Sequence, residues 1–371
     1  GLSTAYLLTW IFQSHYSFIE SVSWLLSLAF LLAYAILFIS YFRQQIPGSV
    51  FRCFTFLFCI FELALSTYYV VGSLGIEWVF PTRDGYLRNM SAITKLVSDT
   101  KQANKTFYRT ERLEAQTGND SMKFNYNGIS QFSSIRNTAS SSTLDRLGFK
   151  SEGTNLNLRY QNNTIIADSL FGIKYNLSNF DLNKYGFNHV TSEKTMGLYQ
   201  NNNASQLAIL TDGIYKNIDF TVNTLDNQTS LLNALSGLNL TYFKRAPSQL
   251  FDQDAKSLNQ RVAKNVSNSN KDFVTITYRV IAPPHSQLYV SVPNISWSDD
   301  NNHSLSITVN GVTRNQVTDN TFDFFDLGYF ETESMVTIKL SFPGNKAISF
   351  DNPSFYALDT QNYQIAMDTI N

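Results

Sequence analysis

Two stretches near the start of the chain restrict its fold more than any other feature. Ser21 to Phe42 reads SVSWLLSLAFLLAYAILFISYF, 22 residues without a charge. As a helix this stretch is about 33 Å long, enough to cross a hydrocarbon core of ~30 Å. A core helix of that length in a soluble protein shows a polar face, and none is visible. Phe51 to Val71 (FRCFTFLFCIFELALSTYYVV) is nearly as apolar, with Glu62 as the ionisable residue well inside it. The link RQQIPGSVFR carries Pro47-Gly48, a helix stop and restart, and its length implies an antiparallel hairpin. Arg43 and Arg52 place this link on the cytoplasmic side, although Arg83, Arg88 and Lys95 near the other end weaken the bias. Residues 1–18 are apolar but interrupted by Gln13 and His15, which suits the end of an earlier span or an interfacial segment. They lack a basic leader region, so they are no signal peptide, and the start reads as a piece of a longer polytopic protein. For Glu62 the alternatives are a functional group in a helix bundle and a paired or protonated carboxyl.

The rest of the chain has a different composition. Residues 1–80 contain no Lys and no Asn, whereas 81–371 hold all 36 Asn. Net charge is -1, and that even balance excludes a nucleic-acid partner, which calls for a basic face. The two cysteines, Cys53 and Cys59, both lie in the second apolar stretch. A long thiol-free region suits export, and the absence of any C-x-x-C argues against a metal site. Residues 81–371 are therefore expected to be extracytoplasmic, behind a multi-pass segment in the cytoplasmic membrane.

The expected fold class is α+β and multi-domain: membrane segment 1–80, α/β domain 81–240, β-sandwich 245–371. In the α/β part, Leu87, Met90, Ile93 and Val97 recur at helical spacing, and FYRTERLE (107–114) alternates like a strand. Ser140–Ser142 carry cap chemistry before TLDRLGF, and NTIIADSLFGIKYNLS (163–178) reads as a helix turning at Gly172 into a strand. GLYQNN (197–202) and LAILTDGIY (207–215) read as strands, and NQTSLLNALSGL (227–238) as a capped helix. Beyond Pro247, alternation at Val274–Val280, Leu288–Val292, Leu305–Val309 and Val336–Phe342, with Asn310-Gly311 as a hairpin signal, predicts a jelly-roll-like sandwich.

Five phrases of the α/β part occur in a telling order: FYRTERLE, NDSMKFNYNGISQFSS (119–134), ADSLFGIKYNLS (167–178), LTDGIY and NQTSLLNALSGL. Behind a membrane hairpin, this series resembles the C-terminal half of bacterial YfhO-family membrane proteins, over roughly residues 20–240. The resemblance implies a polytopic glycosyltransferase of the GT-C type, with a polyprenyl-phosphate-linked sugar as donor and a cell-wall polymer such as lipoteichoic acid as acceptor. Such enzymes usually carry the catalytic carboxylate in an early outer loop, which would lie upstream of residue 1. No cofactor is expected.

No G-x-S-x-G, H-E-x-x-H, P-loop or G-x-G-x-x-G occurs, and the four histidines are scattered. Arg109 and Glu111 share one face of the predicted strand, where an Arg holds either a phosphate or an edge ion pair. Asn119, Asp120, Tyr126, Asn127, Ser130, Ser133 and Ser134 offer amide, hydroxyl and aromatic groups of the kind a sugar site needs, though Asn-Tyr-Asn-Gly is also ordinary turn chemistry. Asp168, among Ile165, Ile166, Leu170 and Phe171, is either a buried hydrogen-bond hub or a site carboxylate. Asp299-Asp300-Asn301-Asn302-His303 is oxygen-rich without the spacing of a calcium loop. Trp297, Tyr289 and Tyr329 are possible sugar-stacking rings. Two functions follow: the C-terminal part of a membrane glycosyltransferase, or a non-enzymatic membrane-anchored surface protein that binds cell-wall glycan through its sandwich.

Overall fold

In the computed structural model the described residues are all but 1–10, 12–20, 78–81, 136, 150–156, 161–163, 212, 254–272, 294, 298–302, 319–323 and 344–347. The N-terminal segment read as an interfacial piece thus lies almost wholly outside them. The chain divides into two compact units, Gly1–Tyr86 and Leu87–Asn371.

The first unit is a helical hairpin, α1 (Ser21–Phe42) and α2 (Gly48–Glu77). The chain reverses through Gln44, whose φ of 55° is left-handed. Ring pairs set the register: Tyr41 stacks on Phe51 with centroids 4.6 Å apart, Tyr34 meets Phe58 at 6.0 Å and Phe30 meets Phe61 at 6.0 Å. Partners that descend on one helix as they ascend on the other make the pair antiparallel. Outward side chains are large and apolar, among them Leu25, Ile36, Phe56, Leu63 and Val71, all more than half exposed. Both helices are long and apolar enough to cross a membrane, with mean hydropathy 2.3 and 1.8 over windows of which no residue is buried. Such surface is far larger than a soluble monomer exposes and belongs in lipid. Glu62 has a partner within the hairpin, the Tyr34 hydroxyl, which donates to Oε2 at 2.9 Å.

The second unit's first long helix is α3 (Met90–Ala103), which buries Ala92, Ile93, Leu96 and Val97. Of the expected face, Ile93 and Val97 are buried and Met90 is partly so, whereas Leu87 precedes the helix and is exposed. The buried residues of α3 pack on Tyr175, Leu177, Met196 and Leu198 of a four-stranded sheet. That sheet comprises β1 (Arg109–Arg112), β2 (Ile173–Ser178), β3 (Phe187–Glu193) and β4 (Met196–Asn201), in the order β1-β2-β4-β3. β1 runs parallel to β2 and the remaining pairs are antiparallel. Around the sheet lie α4 (Asp120–Phe124), α5 (Thr138–Arg146), α6 (Ile165–Leu170) and α7 (Thr224–Ser236). α6 does turn into β2 at Gly172, where φ is 63° and an added Cβ would lie 2.9 Å from the Ser205 carbonyl oxygen.

Further boundaries and one element differ from expectation. α5 starts ahead of the serines, because Asn137 accepts from the Ser140 N–H at 3.0 Å and is the cap. α7 likewise starts early, behind Asn223. LAILTDGIY forms no strand over its described residues: the segment is irregular and ends in a 3-10 turn at Ile214–Asn217. Its apolar residues find no sheet edge, and Leu207 and Leu210 are 67% and 101% exposed.

Among the described residues beyond α7, the short strands Ser296–Trp297 and Ile348–Ser349 pair with each other. The nine longer strands there are β5 (Phe243–Arg245), β6 (Ser248–Gln253), β7 (Phe273–Ala282), β8 (Ser286–Ser291), β9 (His303–Val309), β10 (Val312–Thr318), β11 (Phe324–Phe330), β12 (Ser334–Pro343) and β13 (Ser354–Asp359). They form two antiparallel sheets, β11-β8-β13-β5 and β10-β9-β12-β7-β6. Asn310-Gly311 closes the β9–β10 hairpin with φ of 47° and 89°, both of the sign a tight hairpin turn requires. Period-two alternation puts Ile276, Val280, Leu288, Val290, Leu305, Ile307, Ile338, Leu340 and Phe355 into one apolar cluster that both sheets share. Tyr289 and Leu358 alternate to the opposite face. There they join Ile165, Ile166, Leu232 and Tyr242, with Tyr363, Ala366 and Met367 of the final helix α8 (Thr360–Ile370), in a second cluster. The stretches on either side of residues 240–245 are therefore packed against each other through a common apolar layer.

Candidate functional site

A buried polar hub lies between the first sheet and this apolar layer. α6 is capped by Thr164, whose hydroxyl accepts from the Ala167 N–H at 3.3 Å, and this fixes Asp168 in the first turn. Because Ile165, Ile166 and Ala167 are buried with it, the Asp168 carboxyl points into protein and is 0% exposed. It pairs with the Lys184 ammonium, itself 6% exposed. Lys184 Nζ is also 3.3 Å from the Tyr160 hydroxyl and 3.5 Å from Asn176 Oδ1, and lies 4.6 Å from the Phe187 ring centroid. Asn176 is the residue of β2 that alternates away from Tyr175 and Leu177. Its Nδ2 donates to the Tyr160 hydroxyl at 2.9 Å, and that hydroxyl lies 3.1 Å from its Oδ1. Burial pushes the Asp168 carboxyl above its ordinary value, with Lys184 pulling the other way. Burial also lifts the Tyr160 hydroxyl well above its usual range.

The hub connects to Glu111 through Ser130, whose Oγ accepts from the Tyr160 N–H at 3.1 Å. Glu111 is buried on β1, and its carboxylate accepts from the N–H groups of Ile129 and Ser130 and from the Ser130 hydroxyl. Desolvation nevertheless dominates and pushes the Glu111 carboxyl up to about 7.

The remaining sequence candidates sit elsewhere and take structural partners. Arg109 does not form the edge pair with Glu111; it donates to the Phe171 carbonyl at 2.6 Å and lies over the Phe107 ring. Asn119 Oδ1 accepts from the Phe132 N–H at 2.8 Å, and Asn127 Nδ2 donates to the Tyr108 carbonyl at 3.2 Å. Asp120 accepts from the N–H groups of Gln116 and Thr117, both at 2.9 Å, and forms a buried ion pair with Arg112 at 3.1 Å. Tyr126 packs in the core beneath α3. Ser133 donates to the Ile135 carbonyl at 2.7 Å. The side chains of the amide-rich loop thus hold backbone and core partners, some in the loop and some on β1 and at Tyr108 just before it, and Asp168 is buried and paired with Lys184. Tyr160, Asn176 and Lys184 carried no local signal. Only the alternation of β2 could have marked Asn176 as inward-facing.

The other possibilities divide in the same way. Residues 299–302 of the oxygen-rich loop lie outside the described set, as do the side chains of Trp297 and His303. Among the described residues, no three His, Cys, Asp or Glu side chains converge on a point. Tyr289 is no stacking platform, because its ring is 0% exposed and its hydroxyl accepts from the Ile165 N–H at 3.0 Å. Tyr329 lies against Tyr185, with centroids 5.0 Å apart.

Comparison with family models gives a match over the full length. The family model described as "Bacterial membrane protein YfhO" covers residues 1–371. No curated protein matches the chain. A ruminal GH26 endo-beta-1,4-mannanase is 20% identical with a TM-score of 0.20, over 31% of this chain and 26% of that one. A family two carbohydrate esterase from Cellvibrio japonicus is 12% identical with a TM-score of 0.18, over 30% of this chain and 33% of that one. The chain spans about a third or less of the length of either structure, and likeness at this level says nothing about activity.

Proposed function

Because the chain belongs to the YfhO family of bacterial membrane proteins, we propose that it is the C-terminal portion of a membrane glycosyltransferase. That enzyme would move a sugar from a polyprenyl-phosphate donor to a cell-wall polymer such as lipoteichoic acid on the outer face of the cytoplasmic membrane. The observation that carries this reading is the whole-length family match, borne by a chain whose first unit is a lipid-suited hairpin. Both helices span the bilayer in this account, and residues 81–371 stand outside it as an α/β domain up to about 240 and a β-sandwich from about 245. The thiol-free composition after Cys59 suits that location. We read the sandwich as a jelly roll. With edge strand β6 set aside and the other eight numbered in chain order, its sheets run 1-8-3-6 and 2-7-4-5.

Transfer of a sugar to a hydroxyl needs a carboxylate that can reach the acceptor. Glu111, Asp120 and Asp168 are each 1% exposed or less and held by internal donors. As the GT-C resemblance implies, we place the catalytic carboxylate in an early outer loop outside this chain, and give these three buried residues the role of shaping an outer domain that positions the polymer. Deletion of the whole gene, with sugar content measured on each wall polymer, tests the reading. Loss of one glycosylation that the restored gene returns is expected; unchanged glycosylation of every polymer overturns it.

A further inference from the structure

The hub holds more chemistry than a structural ion pair uses. A primary amine, a carboxamide, a carboxyl and a phenol meet in a site sealed from water: Lys184, Asn176, Asp168 and Tyr160 are 6%, 0%, 0% and 1% exposed. Amines and carboxamides do not react in water, where the amine is protonated and the amide is a poor electrophile. Burial changes both conditions. In a low-dielectric interior, holding an ammonium–carboxylate pair as two charges costs more than in water, so passing the proton within the pair to give a neutral amine and acid is easier there. Fixed contact also replaces a bimolecular encounter, an effect that in model reactions amounts to an effective concentration on the order of 10⁵ M or more.

We propose that Lys184 and Asn176 form an intramolecular isopeptide bond, with Asp168 as the acid–base group. Asp168 takes the proton of the Lys184 ammonium, and the free Nζ attacks Asn176 Cγ. Negative charge developing on Oδ1 is met by the Tyr160 hydroxyl, which already lies 3.1 Å from that oxygen. Asp168 then delivers its proton to Nδ2 and recovers one from Nζ. The Cγ–Nδ2 bond breaks, ammonia leaves, and the new Nζ–Cγ amide remains. One C–N bond forms and one breaks, so neither oxidant nor co-reactant is needed.

The position of the link gives it a use. Lys184 lies in the loop between β2 and β3, whose neighbours dock on the β-sheets. The Tyr185 N–H donates to Gln287 Oε1 at 2.9 Å, Asn183 Nδ2 donates to the Tyr329 carbonyl at 3.0 Å, and the Tyr329 N–H donates to the Asn183 carbonyl at 3.1 Å. A covalent tie from β2 to Lys184 would fix the loop on which the two parts of this unit meet.

Intact mass and tryptic mapping of the purified full chain test the proposal. Trypsin should fail to cut after Lys184 and release 175–194 as one peptide, lighter by one ammonia and giving no fragments from between Asn176 and Lys184. Lys184→Arg and Asp168→Asn should restore the full mass and, for Asp168→Asn, cleavage after Lys184. Wild-type chain of unmodified mass, cut after Lys184, overturns the proposal without recourse to any variant. Loss of one water with the link at Asp168 overturns the choice of Asn176, and a link that persists in Asp168→Asn overturns the role of Asp168.

Discussion

Glu111→Gln should change how the stability of the second unit depends on pH. The Glu111 carboxyl is buried on β1 and its value rises from 4.5 to about 7, because removal from water outweighs the donors of Ile129 and Ser130. The folded protein then holds this proton through a range in which the unfolded chain has released it. More protons bound in the native state means that stability falls as pH rises, from about 4.5 until the group has ionised above about 7. At 1.36 kcal/mol per unit, the loss across that window is on the order of 3 kcal/mol. Glutamine keeps a carbonyl oxygen for the two N–H donors, and its amide can donate to the Ser130 hydroxyl, but it has no proton to lose. Pulse proteolysis in urea on the detergent-solubilised chain, read as survival of the 87–371 fragment between pH 5 and 8, measures the difference. The variant should be near wild type at pH 5 and more stable at pH 8. Parallel profiles would refute the reasoning and mean that the three donors keep Glu111 ionised throughout.

Other substitutions read out different parts of the fold by the same assay. Gly172→Ala should destabilise by about 1–3 kcal/mol, since a left-handed φ and the Ser205 carbonyl both oppose a Cβ at the α6–β2 turn. Tyr289→Phe leaves the buried Ile165 N–H without its acceptor and should cost about 1–3 kcal/mol. Asp120→Ala strands the buried Arg112 charge and should cost about 3–5 kcal/mol, more than either.

Much of this architecture is legible from hydropathy alone. The two long apolar helices, the strand alternation beyond Pro247, the Asn310-Gly311 hairpin and the helix turning at Gly172 each rest on local periodicity or turn chemistry, and each is found. LAILTDGIY fails because an apolar run becomes a strand only where a sheet edge receives it, and Leu210 meets none. The amide-rich stretch around Asn119 and Asn127 looks like a ligand site, but these amides satisfy the Phe132 N–H and the Tyr108 carbonyl, backbone groups 13 and 19 residues away. Asp168 could be marked as buried from its apolar neighbours, whereas its partner could not be identified. Lys184 sits in DLNKYGF, where nothing local distinguishes a core lysine from a surface one. Contacts made across 16 residues and through tertiary packing leave no mark on the immediate sequence.

The central claim is that a lipid-spanning hairpin holds the second unit outside the cell. Cys53 and Cys59 are the only thiols of this sequence, and both lie on the second apolar helix, so in a Cys53→Ser, Cys59→Ser background a single cysteine added at exposed Thr332 reports on the second unit alone. Labelling of Thr332→Cys by a membrane-impermeant maleimide in intact cells is the most direct measurement. The account predicts full labelling before lysis, with the parent chain unlabelled; labelling that appears only after lysis would contradict it.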